Sequence, residues 1–111
     1  MKVYLISSEI NNDILYKIGI TRRDVKQRLK ELKTGNAATL EIVNIFESKW
    51  ATKIEANLHV RFSNLNINRE WFSLTPEIVN DFIKICKELD ETFEFLSVNN
   101  TWIIDNSILR R

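Results

Sequence analysis

The sequence predicts a small α+β domain: a mostly antiparallel sheet flanked by three helices, in the order β-β-α-β-α-β-α. Three observations predict it. Val3–Ile6 and Leu15–Ile20 are β-branched and aromatic runs separated by the turn-forming Asn11-Asn12-Asp13, the pattern of a hairpin. Apolar residues recur at helical spacing in three later segments, each long enough to cover a sheet. Between them lie Leu40–Phe46 and Arg69–Leu74, too short and too rich in β-branched and aromatic residues for helices, so both are expected as strands.

The first helix is expected from Asp24, with Val25, Leu29 and Leu32 at i, i+4 and i+7, and it stops at Thr34-Gly35-Asn36 with Gly35 as C-cap. Ser48 is a plausible cap for a second helix from Lys49 to about Phe62, whose buried stripe is Ala51, Ile54, Leu58 and Phe62. The third start is the best marked. Thr75 suits the N-cap, Pro76 the first helical position, and Glu77 faces the positive end of the dipole. Ile78, Phe82, Ile85, Cys86, Leu89 and Phe93 continue that helix, and Ser97–Thr101 is expected to break it. The chain therefore divides into a domain, 1–96, and a C-terminal extension, 97–111, in which Trp102-Ile103-Ile104 would add a short strand or an arm that packs against another copy in a homodimer.

With 111 residues, 44% hydrophobic and 28% charged, the chain supports one core. Sixteen basic and fifteen acidic residues nearly cancel, so net charge gives no whole-molecule attraction to a polyanion. The distribution is bipolar. Lys17, Arg22, Arg23, Lys26, Arg28, Lys30 and Lys33 face only Asp24 and Glu31, whereas Glu77 to Asp105 is predominantly acidic. Such polarity lets a polyanion dock on one end, and it is also what two solvated helix faces of unlike sign would show. The single Cys86 sits in an apolar stripe and reads as a small core residue, with no disulfide framework. The apolar run at the N-terminus is ended by Ser7-Ser8-Glu9, too short for a secretory segment, and nothing approaches membrane-spanning length. A soluble, intracellular (cytoplasmic) protein is expected. The abundance of Asn, Ile and Lys is what an AT-rich genome encodes, which fits a phage or mobile element expressed in a host cell.

Two polar residues stand where structure alone would not ask for them. Lys17 lies inside an apolar and aromatic strand and shares a face with Gly19, a glycine that suggests a close backbone approach. Glu55 has Ala51, Ile54, Leu58 and Phe62 as its helical neighbours, so it needs a cation, a hydrogen-bonding partner or a metal ion. His59 follows one turn later and would share whatever Glu55 binds. A structural salt bridge and a core or surface histidine are the plainer alternatives.

Lys2-Val3-Tyr4, Tyr16-Lys17-Ile18-Gly19 and Arg28, completed by Glu55, resemble the two tripeptides, helix arginine and glutamate of the GIY-YIG nuclease superfamily. Tyr16 to Thr21, the Glu55 and Leu58-His59 spacing, and Arg69-Glu70-Trp71-Phe72 look like its phage-derived branch catalogued as a DNA-binding domain. The resemblance runs from about Lys2 to about Ile83 and implies metal-dependent hydrolysis of DNA phosphodiester bonds. In that reading Glu55 holds Mg²⁺ (or Mn²⁺), Tyr4 helps deprotonate or position the attacking water, and Arg28 neutralises charge on the phosphate. Lys17 stands where the superfamily has a tyrosine, so it acts as base or as phosphate clamp. Lys2 replaces a glycine, Leu32 stands where a histidine is often found, and Glu70 stands where an amide is usual. Tyr16, His59 and Glu70 are accessory candidates, and Arg22, Arg23, Lys26, Lys30 and Lys33 are candidates for the DNA phosphates. Two other functions compete: a nuclease-like module that binds DNA without cutting, and a protein-interaction role through the acidic third helix and the tail.

Overall fold

The computed structural model describes residues 1–33 and 39–99. Five strands form one antiparallel sheet in the order β3-β1-β2-β5-β4, with β1 at Lys2–Ile10, β2 at Asp13–Thr21, β3 at Thr39–Glu47, β4 at Asn66–Asn68 and β5 at Trp71–Phe72. The helices are α1 (Val25–Lys33), α2 (Ala51–Arg61) and α3 (Pro76–Asn99), and a short 3-10 turn, Ser63–Leu65, precedes β4. The α+β class and antiparallel sheet are those expected from the sequence, with β4 added.

The hairpin is tighter than its turn residues alone required. Strands β1 and β2 run in register from Lys2↔Thr21 to Ile10↔Asp13, leaving only Asn11 and Asn12 between them. Both have left-handed φ, 51° and 71°, the type I′ geometry that matches the twist of paired strands and that asparagine tolerates. Asn12→Val is expected to cost about 1–2 kcal/mol, and thermal unfolding would register this as a loss of roughly 4–8 °C per kcal/mol.

Because β1 lies between β3 and β2 and is covered by helices on both sides, Val3 to Ile6 are buried on both faces. Val3 and Leu5 join Ile18, Ile54, Leu58, Phe72, Phe82 and Cys86 in the core under α2 and α3. Tyr4 and Ile6 join Val25 and Leu40 under α1. The irregular alternation of β3 has its cause in a register shift opposite Leu5 and Ile6. One extra residue there lets Val43 and Phe46 pack on the α2–α3 face while Leu40 and Ile42 pack on the α1 face.

The Asp24 side chain caps α1, its Oδ1 accepting from the Lys26 N–H at 2.8 Å. Thr75 caps α3 as expected, accepting from the Ile78 N–H at 3.3 Å. Helix α2 differs from expectation: it starts at Ala51, with Trp50 as its N-cap and no side-chain cap. Ser48 instead closes the turn before the helix, accepting the Trp50 N–H at 2.9 Å and donating its hydroxyl to Asp90 of α3. Ser97 does not end α3, which runs on to Asn99. The proposed C-cap Gly35 and the arm Trp102–Ile104 lie outside the described residues. Cys86 is fully buried, and burial pushes its thiol up to about 12, as befits a core residue. Among the described residues, no helix is long and apolar enough to cross a membrane.

Candidate functional site

The site is built around β2. Strand β5 pairs with it only at Tyr16↔Phe72 and Lys17↔Trp71, so the ladder to β5 ends there. At the next residue the backbone is taken by functional segments. The Ile18 N–H donates to the Glu70 carbonyl at 3.1 Å, and the Ile18 carbonyl lies 2.9 Å from His59 Nε2.

On the α1 face, Tyr4 stands opposite Gly19 in register. A Cβ added at Gly19 would lie 2.5 Å from Tyr4 Cζ and 2.9 Å from Cε1, so the hydroxyl end of the phenol covers the glycine and any side chain there has to displace it. Tyr4 is 1% exposed. Its hydroxyl hydrogen-bonds the Arg28 guanidinium on α1, and that bond is the main reason Arg28 is held above its ordinary value. Arg28 also donates to Glu31 at 3.2 Å, and Arg23 pairs with the same carboxylate at 2.7 Å. Arg23, followed by Arg28, holds Glu31 below the usual carboxylate range.

Lys17 shares the Tyr4 face but is 5% exposed; its ammonium donates to Glu70 Oε2 and stands 5.9 Å from the centroid of the Trp71 ring. A buried ammonium needs such a partner. Glu70 is presented by the turn joining β4 to β5. Arg69 has a left-handed φ of 52°, and the Asn66 side chain donates to the carbonyls of Arg69 and Trp71 at 2.6 and 3.1 Å. The contribution of Asn66 was not read from the sequence. Its signal was the polar–apolar alternation of Asn66-Ile67-Asn68 just before Arg69.

From the opposite layer, α2 brings Glu55 and His59. Their donor atoms and that of Glu70 all lie within 4.8 Å of one another. Burial is the main cause that raises the Glu55 carboxyl above its ordinary value; Glu70 adds to the rise, while His59 and Lys17 oppose it. The arrangement is a continuous chain from Arg28 through Tyr4 and Gly19, past Lys17, to Glu70, Glu55 and His59. Tyr16 stands apart. It points to the α2–α3 side, where it packs against the core and lines a concavity with Leu74 and Val79. Arg22, Arg23, Lys26, Lys30 and Lys33 are all exposed, on α1 and the turn before it. Trp71 is half-buried and packs against the α1-side cluster, and Phe72 is buried.

The description of the T5orf172 domain matches residues 1–87. The chain belongs to the T5orf172 domain family. No curated protein and no solved structure matches it. T5orf172 domains are phage-derived and occur in nuclease-like and DNA-binding proteins. The matched span of the T5orf172 domain takes in every residue of the chain from Arg28 to Glu70, and the first part of α3.

Proposed function

We propose that this T5orf172 domain is a metal-dependent DNA endonuclease of the GIY-YIG type. What supports the reading is two groups that lie along β2 from Lys17 to Gly19: Tyr4 beside Gly19 and Arg28 on the α1 face, and Lys17 with Glu70, Glu55 and His59 at the edge toward α2. Glu55, half-buried and with donor atoms of His59 and Glu70 within 4.8 Å, fits a carboxylate that holds Mg²⁺ or Mn²⁺. Such an ion supplies Lewis-acid polarisation of the scissile phosphate. Arg28 is cationic, and its position on the basic α1 lets it meet charge growing on the phosphate. Tyr4, covered by its neighbours, orients that guanidinium through its hydroxyl. Lys17, with Glu70 as its counter-charge, serves as an electrostatic clamp rather than a proton acceptor.

Cleavage of supercoiled plasmid and of branched DNA, in Mg²⁺ or Mn²⁺, tests the reading. Wild type should nick, and Glu55→Ala should cut at least about 10²-fold more slowly, the scale of losing one charge-stabilising group. No cutting by either protein where both bind DNA would favour a non-cutting binding module. That second reading draws on the Lys17–Glu70 pair and the 1% exposure of Tyr4.

Exposed basic residues of α1 and its preceding turn provide the DNA-docking surface. The logarithm of the affinity should then fall with the logarithm of salt by about 0.9 per phosphate neutralised. Glu31 holds Arg23 and Arg28 on this surface. Glu31→Gln is expected to tighten DNA binding several-fold at low salt and steepen the salt slope; fluorescence anisotropy across a salt series checks both. Binding that is indifferent to salt would remove α1 as the docking element.

A further inference from the structure

We infer that Glu55, His59 and Glu70 together form a three-donor centre for a divalent transition-type cation, occupied by Mn²⁺ in the absence of DNA. This rests on the reading of Glu55 as the metal carboxylate and adds two ligands to it. The three residues come from two elements that the fold forces together: α2 supplies Glu55 and His59 at i and i+4, and the β4–β5 turn supplies Glu70. Their donor atoms lie within 4.8 Å of one another. Three ligands of one ion at about 2.0–2.2 Å stand at most about 3.8 Å from one another when evenly spread, so rotamer adjustments of up to about 1 Å close the set.

The histidine is prepared for this role. A carbonyl oxygen only accepts, so His59 Nε2, 2.9 Å from the Ile18 carbonyl, donates to it, and Nδ1 is the nitrogen left to ligate an ion. A ring nitrogen donating to a backbone carbonyl while the other is left for a metal is the usual outer-shell device of histidine ligands. Edge-on packing against Phe72, with centroids 5.0 Å apart, holds the ring plane. On Glu70, Lys17 engages Oε2 and leaves Oε1 for a further ligand.

Charge and donor type select the ion. Two carboxylates and a neutral imidazole beside one ammonium sum to a single negative charge, enough to attract a dication without trapping it. The two carboxylates suit Mn²⁺ and Mg²⁺ alike, but an imidazole nitrogen is a ligand of first-row transition ions, to which Mn²⁺ belongs, and a poor one for Mg²⁺, which takes oxygen and keeps its water. The centre therefore binds Mn²⁺ in preference to Mg²⁺.

The test uses Mn²⁺ alone with the full chain, free of DNA, followed by electron paramagnetic resonance. Wild type should hold one Mn²⁺ per chain with a histidine ¹⁴N modulation in the pulsed spectrum, and Mg²⁺ should displace it only in large excess. His59→Gln, which keeps an amide donor for the Ile18 carbonyl, should lose the modulation. It and Glu70→Gln should each weaken binding at least about tenfold. Absence of stoichiometric Mn²⁺, or a wild-type spectrum without nitrogen coupling, overturns the centre. The wild-type spectrum decides this even where a variant folds poorly. DNA cleavage without nitrogen coupling would sink the three-donor centre and leave the nuclease reading standing; nitrogen-coupled Mn²⁺ without cleavage would do the reverse.

Discussion

Gly19→Ala is expected to destabilise the domain by about 1–3 kcal/mol, the cost of overpacking a closed core, and to impair cleavage in whatever fraction still folds. The added methyl meets the Tyr4 ring at 2.5 Å from Cζ and 2.9 Å from Cε1, and that ring, at 1% exposure, has nowhere to go. If it shifts, its hydroxyl leaves Arg28, so stability and activity fall through one displacement. The ring can be taken out of the argument: in a Tyr4→Leu background, which has no phenol end to strike, Gly19→Ala should cost distinctly less. Chemical denaturation of the four proteins in this double-mutant cycle gives the coupling directly. Equal costs in both backgrounds would show that glycine is needed at β2 for a reason other than the Tyr4 contact.

The second large effect is expected at Glu55, where function and stability should move in opposite directions. Glu55→Gln keeps the shape of the side chain and removes its charge, so cleavage should fall by about 10²-fold or more. Stability should rise. Burial lifts the Glu55 carboxyl above its ordinary value in the fold, with Glu70 contributing and His59 and Lys17 opposing. A carboxyl raised on folding binds its proton more tightly in the native state. Its contribution to stability is therefore full below the unfolded carboxylate range and is lost as pH rises through the folded value. At neutral pH the ionised group weakens the metal-free fold and the amide does not. Thermal midpoints should be a few degrees higher for Glu55→Gln near pH 7 and converge with wild type below about pH 4, where both side chains are neutral. A lower midpoint for the variant at pH 7 would mean that Glu55 is a structural ion-pair partner, and the metal reading would lose its anchor.

Much of the candidate site was legible because its members violate the patterns around them. A lysine within an apolar strand and a glutamate on a buried helical stripe are conspicuous by burial chemistry alone, and the structure gives each a partner or a strained environment. Lys17 is paired with Glu70, and Glu55 stands among Glu70, His59 and Lys17. Tyr4 and Arg28 were legible only through the family resemblance. Singly, one is a strand tyrosine and the other an ordinary helix arginine. Their hydrogen bond depends on α1 packing across β1, and no local pattern encodes that.

By itself the sequence determined what depends on neighbours along the chain. The asparagines that accept left-handed φ at 51° and 71° closed the hairpin; Asp24 and Thr75 capped their helices; and apolar spacing assigned the stripes of α2 and α3 to a core. Each is a matter of backbone preference or of side chains within one or two turns, so a few adjacent residues suffice. The tertiary structure alone decided the rest. It sent Ser48 to Asp90 rather than to the first turn of α2, put a bulge in β3 so that Leu40 and Phe46 face opposite layers, and joined β4 to β5 by the turn that carries Glu70 to Lys17. Those outcomes rest on groups tens of residues apart competing for one buried position or one hydrogen bond. Their energies exist only once the sheet and helices have packed.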